Sequence, residues 1–149
     1  MPQRDTTHHI VRQALIRDGW EITDDPFVIS FGERFLFLDL GASIAEGHLI
    51  GAQRSNRRIA VEVKEFRNRS PIADLEHTIG QYVLYKLLLR EVDPERTLYL
   101  AITDQVYSGI FQEPIGELVI STLPLQLLIV DTEVEEVRQW IPELTIARS

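Results

Sequence analysis

The chain has 149 residues, 44% of them hydrophobic, and its 15 basic and 23 acidic side chains leave a formal net charge of −8. That length suits one domain spanning residues 1–149 with a real core; no apolar run approaches the roughly 20 residues of a membrane span, and Met1 to Asp5 lacks the apolar segment of a signal peptide, so a soluble cytoplasmic protein is expected. Zero cysteines exclude disulfides, thiolate metal sites and cysteine nucleophiles together, and the acidic balance argues against a general nucleic-acid coat, whose phosphate affinity would come from Lys and Arg.

Along the chain, Thr6 to Gly19 places Ile10, Val11, Ala14 and Leu15 at helical spacing and ends on glycine, which predicts an opening helix. Phe27 to Ser30 and Arg34 to Leu40 read as strands joined by a tight turn at Phe31-Gly32-Glu33. Gly41 to Asn56 is rich in glycine and polar residues and reads as a weakly structured connection. Arg57 to Glu65 is a third strand. Ser70-Pro71 supplies an N-cap and a proline at the first helical position, with Asp74 and Glu76 in the early turns, for a helix running to about Arg90. Thr97 to Ile102 is a fourth strand, Asp104 to Glu117 a mixed helical segment, Gln126 to Val130 a last strand, and Thr132 to Trp140 a short acidic helix stopped by Pro142. The order α-β-β-β-α-β-(α)-β-α predicts an α/β fold with a mixed sheet flanked by helices.

Only two lysines occur, and one lies in Ile59-Ala60-Val61-Glu62-Val63-Lys64. On a strand, residues two apart share a face, so Glu62 and Lys64 project together while Ile59, Val61 and Val63 take the other side. Burying two charges costs several kcal/mol each unless they are paired or hold a metal, and active sites are a common reason to do so. If the second and third strands pair, Asp39 arrives beside Glu62. Two carboxylates at a strand end make a hard oxygen site suited to Mg²⁺ or Mn²⁺, and a nearby ammonium can orient a water or stabilise charge on an attacked phosphate. Without its context, Glu-x-Lys is a weak pattern that more often marks a surface ion pair.

Three weaker groupings accompany this one. Gln81 and Tyr85, four apart on the long helix, share a face with His77; they could serve the site, or Tyr85 could simply pack in the core with Gln81 exposed. His8, His9 and Asp5 in the opening helix could reach a metal, with His9 or Asp5 as the further ligand. Between Gln53 and Arg69, Arg54, Arg57, Arg58, Lys64, Arg67 and Arg69 outnumber the acids Glu62 and Glu65. That local excess of positive charge suits a stretch of phosphate backbone, with Arg54, Arg57, Arg58 and Arg67 as the expected DNA contacts.

Asp39, then Glu62-Val63-Lys64, then Gln81-Tyr82-Val83-Leu84-Tyr85 resembles the PD-(D/E)xK nuclease core with its downstream Q-x-x-x-Y element. Ala14 to Trp20, Asp25-Pro26, Asp39 to Ala42, Ile59 to Lys64, Gly80 to Tyr82 and Arg96 to Ala101 resemble the XisH family, the fdxN-element excision controlling factors of nitrogen-fixing cyanobacteria. The resemblance implies a restriction-endonuclease-like α-β-β-β-α-β core and Asp39, Glu62, Lys64, Gln81 and Tyr85 as catalytic residues, with Asp39 and Glu62 holding Mg²⁺ or Mn²⁺. It also implies DNA, an XisI-type protein and site-specific recombinase machinery as partners, with a homodimer among the assemblies to consider. Two departures stand out: Leu38 replaces the proline that usually precedes the first acid, and the first helix lacks the glutamate that many members use as a ligand. The chain is then either a metal-dependent endonuclease or a non-cleaving accessory factor on a nuclease-like scaffold.

Overall fold

The computed structural model describes residues 3–46 and 55–145. Helix α1 (Gln3–Arg17) closes through Gly19 at φ 100°, with Gly19 N donating to Ile16 O and Trp20 N to Leu15 O. Glycine enters that left-handed region without the Cβ penalty, and the two bonds satisfy carbonyls the helix would otherwise leave orphaned. Next come β1 (Glu21–Asp24), β2 (Phe27–Phe31), β3 (Arg34–Leu38), β4 (Leu40–Glu46) and β5 (Ser55–Val63). Helix α2 (Pro71–Val92) leads to β6 (Thr97–Thr103), followed by α3 (Asp104–Ser108), a 3₁₀ turn at Ile110–Gln112, α4 (Pro114–Thr122), β7 (Leu127–Asp131) and β8 (Glu136–Ile141).

The main sheet has six strands in the order β1-β4-β5-β6-β7-β8, while β2 and β3 form a separate hairpin. Strands β5, β6 and β7 are parallel and the flanking pairs antiparallel, so the expected mixed sheet flanked by helices is present. Each face buries its own core. On one side Ile59, Val61, Val63, Tyr99 and Val130 pack with Val11, Ala14 and Leu15 of α1. On the other, Ala60, Leu100 and Ile129 pack with Leu75, Tyr82, Tyr85 and Leu89 of α2. β6 and β7 are buried on both faces, as their unbroken apolar runs require.

Several elements differ from the sequence-based expectation. Arg34 to Leu40 is not one strand: the chain leaves the hairpin at Leu38, bends at Asp39 and enters the main sheet at Leu40. Leu40 to Glu46, expected as a weak connection, pairs with β5 from Leu40↔Val61 to Glu46↔Ser55. Its Gly, Ala and Ser residues carry little β signal, but they let neighbours approach: a Cβ on Gly41 would lie 2.9 Å from Phe27 Cδ1 and from Asp24 Oδ1. Glu21–Asp24, not predicted, is the edge strand on β4. The acidic helix expected over Thr132 to Trp140 is a turn followed by β8. Asp131 Oδ1 accepts from Glu133 N (2.9 Å) and Val134 N (3.3 Å), Glu135 sits at φ 54°, and β8 then covers the free edge of β7. Trp140 stacks edge-on against Tyr99 at 4.9 Å. Pairing and aromatic burial thus override the helical propensity of Glu and Arg. The Ser70 cap is as expected: its Oγ accepts from Ala73 N at 3.2 Å ahead of Pro71.

Candidate functional site

Asp39 lies where the chain passes from one sheet to the other. The β4–β5 ladder starts at Leu40↔Val61, so the next N–H on that edge of β5, at Val63, has no strand partner. The Asp39 carboxylate takes it: Val63 N donates to Asp39 Oδ2 at 2.8 Å, and Asp39 N lies 3.3 Å from Glu62 Oε1. Alternation along β5 turns Glu62 towards α2, away from the α1 core that holds Val61 and Val63. Glu62 is 4% exposed. Its Oε2 stands 3.3 Å from Lys64 Nζ, and Lys64 N extends the parallel pairing by donating to Ala101 O at 2.9 Å. The expected convergence of Asp39, Glu62 and Lys64 is therefore what the fold produces.

Burial and the Asp39 charge beside it push the Glu62 carboxyl up to about 7, against the opposing pull of Lys64. Two carboxylates held this close carry an electrostatic cost that one ammonium does not cancel. A divalent cation taking one or two carboxylates and completing its shell with water or phosphate fits that donor set. Among the described residues no cluster of three His, Cys, Asp or Glu side chains offers a larger protein cage.

The site opens into a cleft of about 390 Å³ whose walls include Glu62, Lys64, Arg67, His77, Thr78 and Gln81. Gln81 Nε2 lies 3.3 Å from Tyr85 Oη, while its Oε1 is buried with no hydrogen-bond partner among the described residues. Tyr85 itself is in the core beneath α2. Of the helix pair, Gln81 meets the cleft and Tyr85 holds it from behind.

The opening helix contributes a residue other than those singled out for a ligand. His8 Nδ1 lies 3.3 Å from Asp39 Oδ1, and His8 Nε2 lies 2.9 Å from Asp25 Oδ1, whose Oδ2 accepts from Arg12 at 2.7 Å. His8 and Arg12, four apart on α1, thus grip Asp25 together and tie the helix to Asp39. His9 is exposed on the next face, and the Asp5 side chain lies outside the described residues. A helical pair with an acid was the only signal in the sequence, and it did not separate His8 from His9.

The arginines spread further than expected. Arg67 lines the cleft and is ion-paired with Glu65. Arg58 sits four residues up β5, roughly 13 Å away at strand rise, paired with Asp93 at 2.8 Å and Glu95 at 3.4 Å. Arg57 alternates to the opposite face of β5, within electrostatic reach of Tyr99, and Arg54 lies outside the described residues. Of the three that are described, only Arg67 therefore lines the carboxylate cleft. No helix among the described residues is long and apolar enough to cross a membrane.

Comparison with known proteins gives two solved relatives of the whole arrangement. A crystal structure of an fdxN element excision controlling factor protein from Anabaena variabilis is 38% identical, with a TM-score of 0.80 over 93% of this chain and 99% of that one. An XisH family protein from Nostoc punctiforme PCC 73102 is 37% identical, with a TM-score of 0.79 over 91% of this chain and 98% of that one. No curated protein matches. The family described as XisH protein matches residues 1–138, a span that takes in α1 with His8, the Asp39 corner, Glu62, Lys64 and the helix carrying Gln81. On that match and on the two structures, the chain belongs to the XisH family.

Proposed function

We propose that the protein acts in excision of a DNA element of the fdxN type and does so as a divalent-metal-dependent endonuclease of PD-(D/E)xK character. The observation that carries the reading is the buried Asp39 carboxylate beside Glu62, with Glu62 and the Lys64 ammonium together on the wall of an open cleft. Asp39 and Glu62 hold Mg²⁺ or Mn²⁺. When bound, the cation supplies Lewis-acid polarisation of a phosphoryl oxygen. Lys64, only partly exposed at the cleft wall, offers a fixed positive charge to the oxygens on which charge develops. The unpartnered Gln81 Oε1 accepts a hydrogen bond from the attacking water or from a substrate group. Tyr85 keeps Gln81 turned to the cleft. DNA is the substrate and an XisI-type protein the partner, in the setting of a site-specific recombinase.

A second reading is favoured by one observation, the sparse positive charge around the cleft. With Arg58 locked in ion pairs and Arg57 on the other face, a non-cleaving accessory factor that binds a protein or DNA on this surface would need no more. Nicking of supercoiled plasmid with Mg²⁺ or Mn²⁺ separates the two. Chelator-sensitive nicking by the wild type, reduced at least about 100-fold in Lys64→Ala, is the expected outcome. Wild-type protein that leaves the plasmid intact, or a Lys64→Ala variant that nicks at the wild-type rate, would sink the endonuclease assignment.

A further inference from the structure

A second cavity lies at the far end of α2. It has a volume of about 190 Å³, and Lys86, Arg90, Arg96, Thr97, Leu98 and Gln126 contribute to its walls. It sits at the entry of β6 and β7, whereas the carboxylate cleft sits beyond the exit of β5, so the two are at opposite ends of the parallel strands. Three cations and no carboxylate line it, in a chain whose acidic residues number 23 against 15 basic ones.

The acid bonded to Arg96 is shared with a second arginine. Asp93 Oδ2 bonds both Arg58 at 2.8 Å and Arg96 Nε at 3.0 Å. Arg96 also donates to Ile59 O at 2.9 Å and lies over the Phe27 ring at 4.4 Å, which holds it in place with its side chain 9% exposed. Lys86 and Arg90 have no carboxylate partner among the described residues; Lys86 Nζ lies 5.5 Å from the centre of the Tyr82 ring. The side chains of Thr97 and Gln126 also make no hydrogen bond among the described residues. Lys86 and Arg90 therefore bring to the cavity charged donors that no carboxylate among the described residues receives.

Two cations four apart on one helix face repel each other. The carbonyl end of α2 accounts for Arg90, in the last turn, but not for Lys86, more than a turn earlier. The same helix end would weaken a bound anion by a factor of about two to five, whereas each hydrogen bond from a charged donor strengthens it by about tenfold or more. The donors win. A volume of about 190 Å³ admits one or two phosphoryl groups.

We propose that the cavity formed by Lys86, Arg90, Arg96, Thr97 and Gln126 is an anion site for a phosphoryl group, separate from the carboxylate cleft. The phosphoryl group comes either from a free nucleotide or from a phosphorylated DNA end. Both present the same chemistry to the cavity.

Isothermal titration of the full chain with inorganic pyrophosphate, in chelator and without divalent cations, tests it. Arg90 is exposed, Lys86 half-buried and both lie outside the cleft, so Lys86→Gln/Arg90→Gln should fold; an unchanged melting temperature checks this. The expected result is saturable binding by the wild type that weakens about tenfold or more in the double variant. Arms with a mononucleotide and with one oligonucleotide, with and without its 5′-phosphate, assign the source. No saturable heat in the wild type, equal binding by the double variant, or equal displacement by chloride would each overturn the site. Because the measurement needs neither metal nor cleavage, its failure leaves the endonuclease reading where it stands.

Discussion

Glu62 is held where its charge is costly, and the cost depends on pH. Burial and Asp39 raise its carboxyl from 4.5 to about 7, so the folded chain keeps a proton there that the unfolded chain has released. The resulting stability is fully present below pH 4.5 and is lost as pH rises through 7, by on the order of 2–3 kcal/mol. Denaturant titrations from pH 5 to pH 8.5 should show this decline in the wild type and a flatter profile in Glu62→Gln. A decline of equal size in Glu62→Gln would place the titrating group elsewhere. The pairing of Glu62 with Lys64 was legible from strand alternation alone, because a period of two needs only the local chain. The value near 7 was not, since it depends on Asp39, 23 residues away in sequence, and on the depth of burial.

Among the elements, α1 has a role beyond covering one sheet face. Through His8, held by Asp25 and Arg12, it reaches Oδ1 of Asp39. Groups that orient a metal ligand typically change metal affinity 10- to 100-fold when removed. His8→Ala should accordingly weaken Mn²⁺ binding by about 10-fold or more, measured by calorimetry, with Asp39→Asn as the control that abolishes it. A wild-type affinity in His8→Ala would mean that Asp39 is oriented without the helix, by Val63 N–H and its other neighbours. The sequence marked this helix and its histidines, yet neighbouring positions on a helix point about 100° apart. Which one faced Asp39 depended on how Val11, Ala14 and Leu15 seated the helix on the sheet. β4 and β8 were missed for a related reason. Their pairing partners, not their own composition, make them strands.

Taken as a whole, the molecule is an acidic body whose carboxylate cleft carries little positive charge. If DNA binds there mainly through Lys64, Arg67 and one further cation such as the exposed Arg69 two residues on, about three phosphate contacts set a slope of log K against log salt near −3. Affinity would then fall about 40-fold between about 50 and 200 mM salt. Anisotropy of a labelled duplex over that range, without divalent cations, checks it. A slope steeper than about −6 would mean that another face holds the DNA. The opening helix, the capped helix after Ser70, the central strands and the shared projection of Glu62 and Lys64 were legible in the sequence itself, because apolar periodicity, an N-cap with proline and charges set within a β-branched run are local signals. The corner that turns Asp39 onto Val63 N–H, the choice of His8, the ion pairs that draw Arg58 away and the donor-lined cavity behind α2 were decided only by tertiary structure. Each of them joins groups far apart in the chain, and their distance and burial are set by how the elements pack.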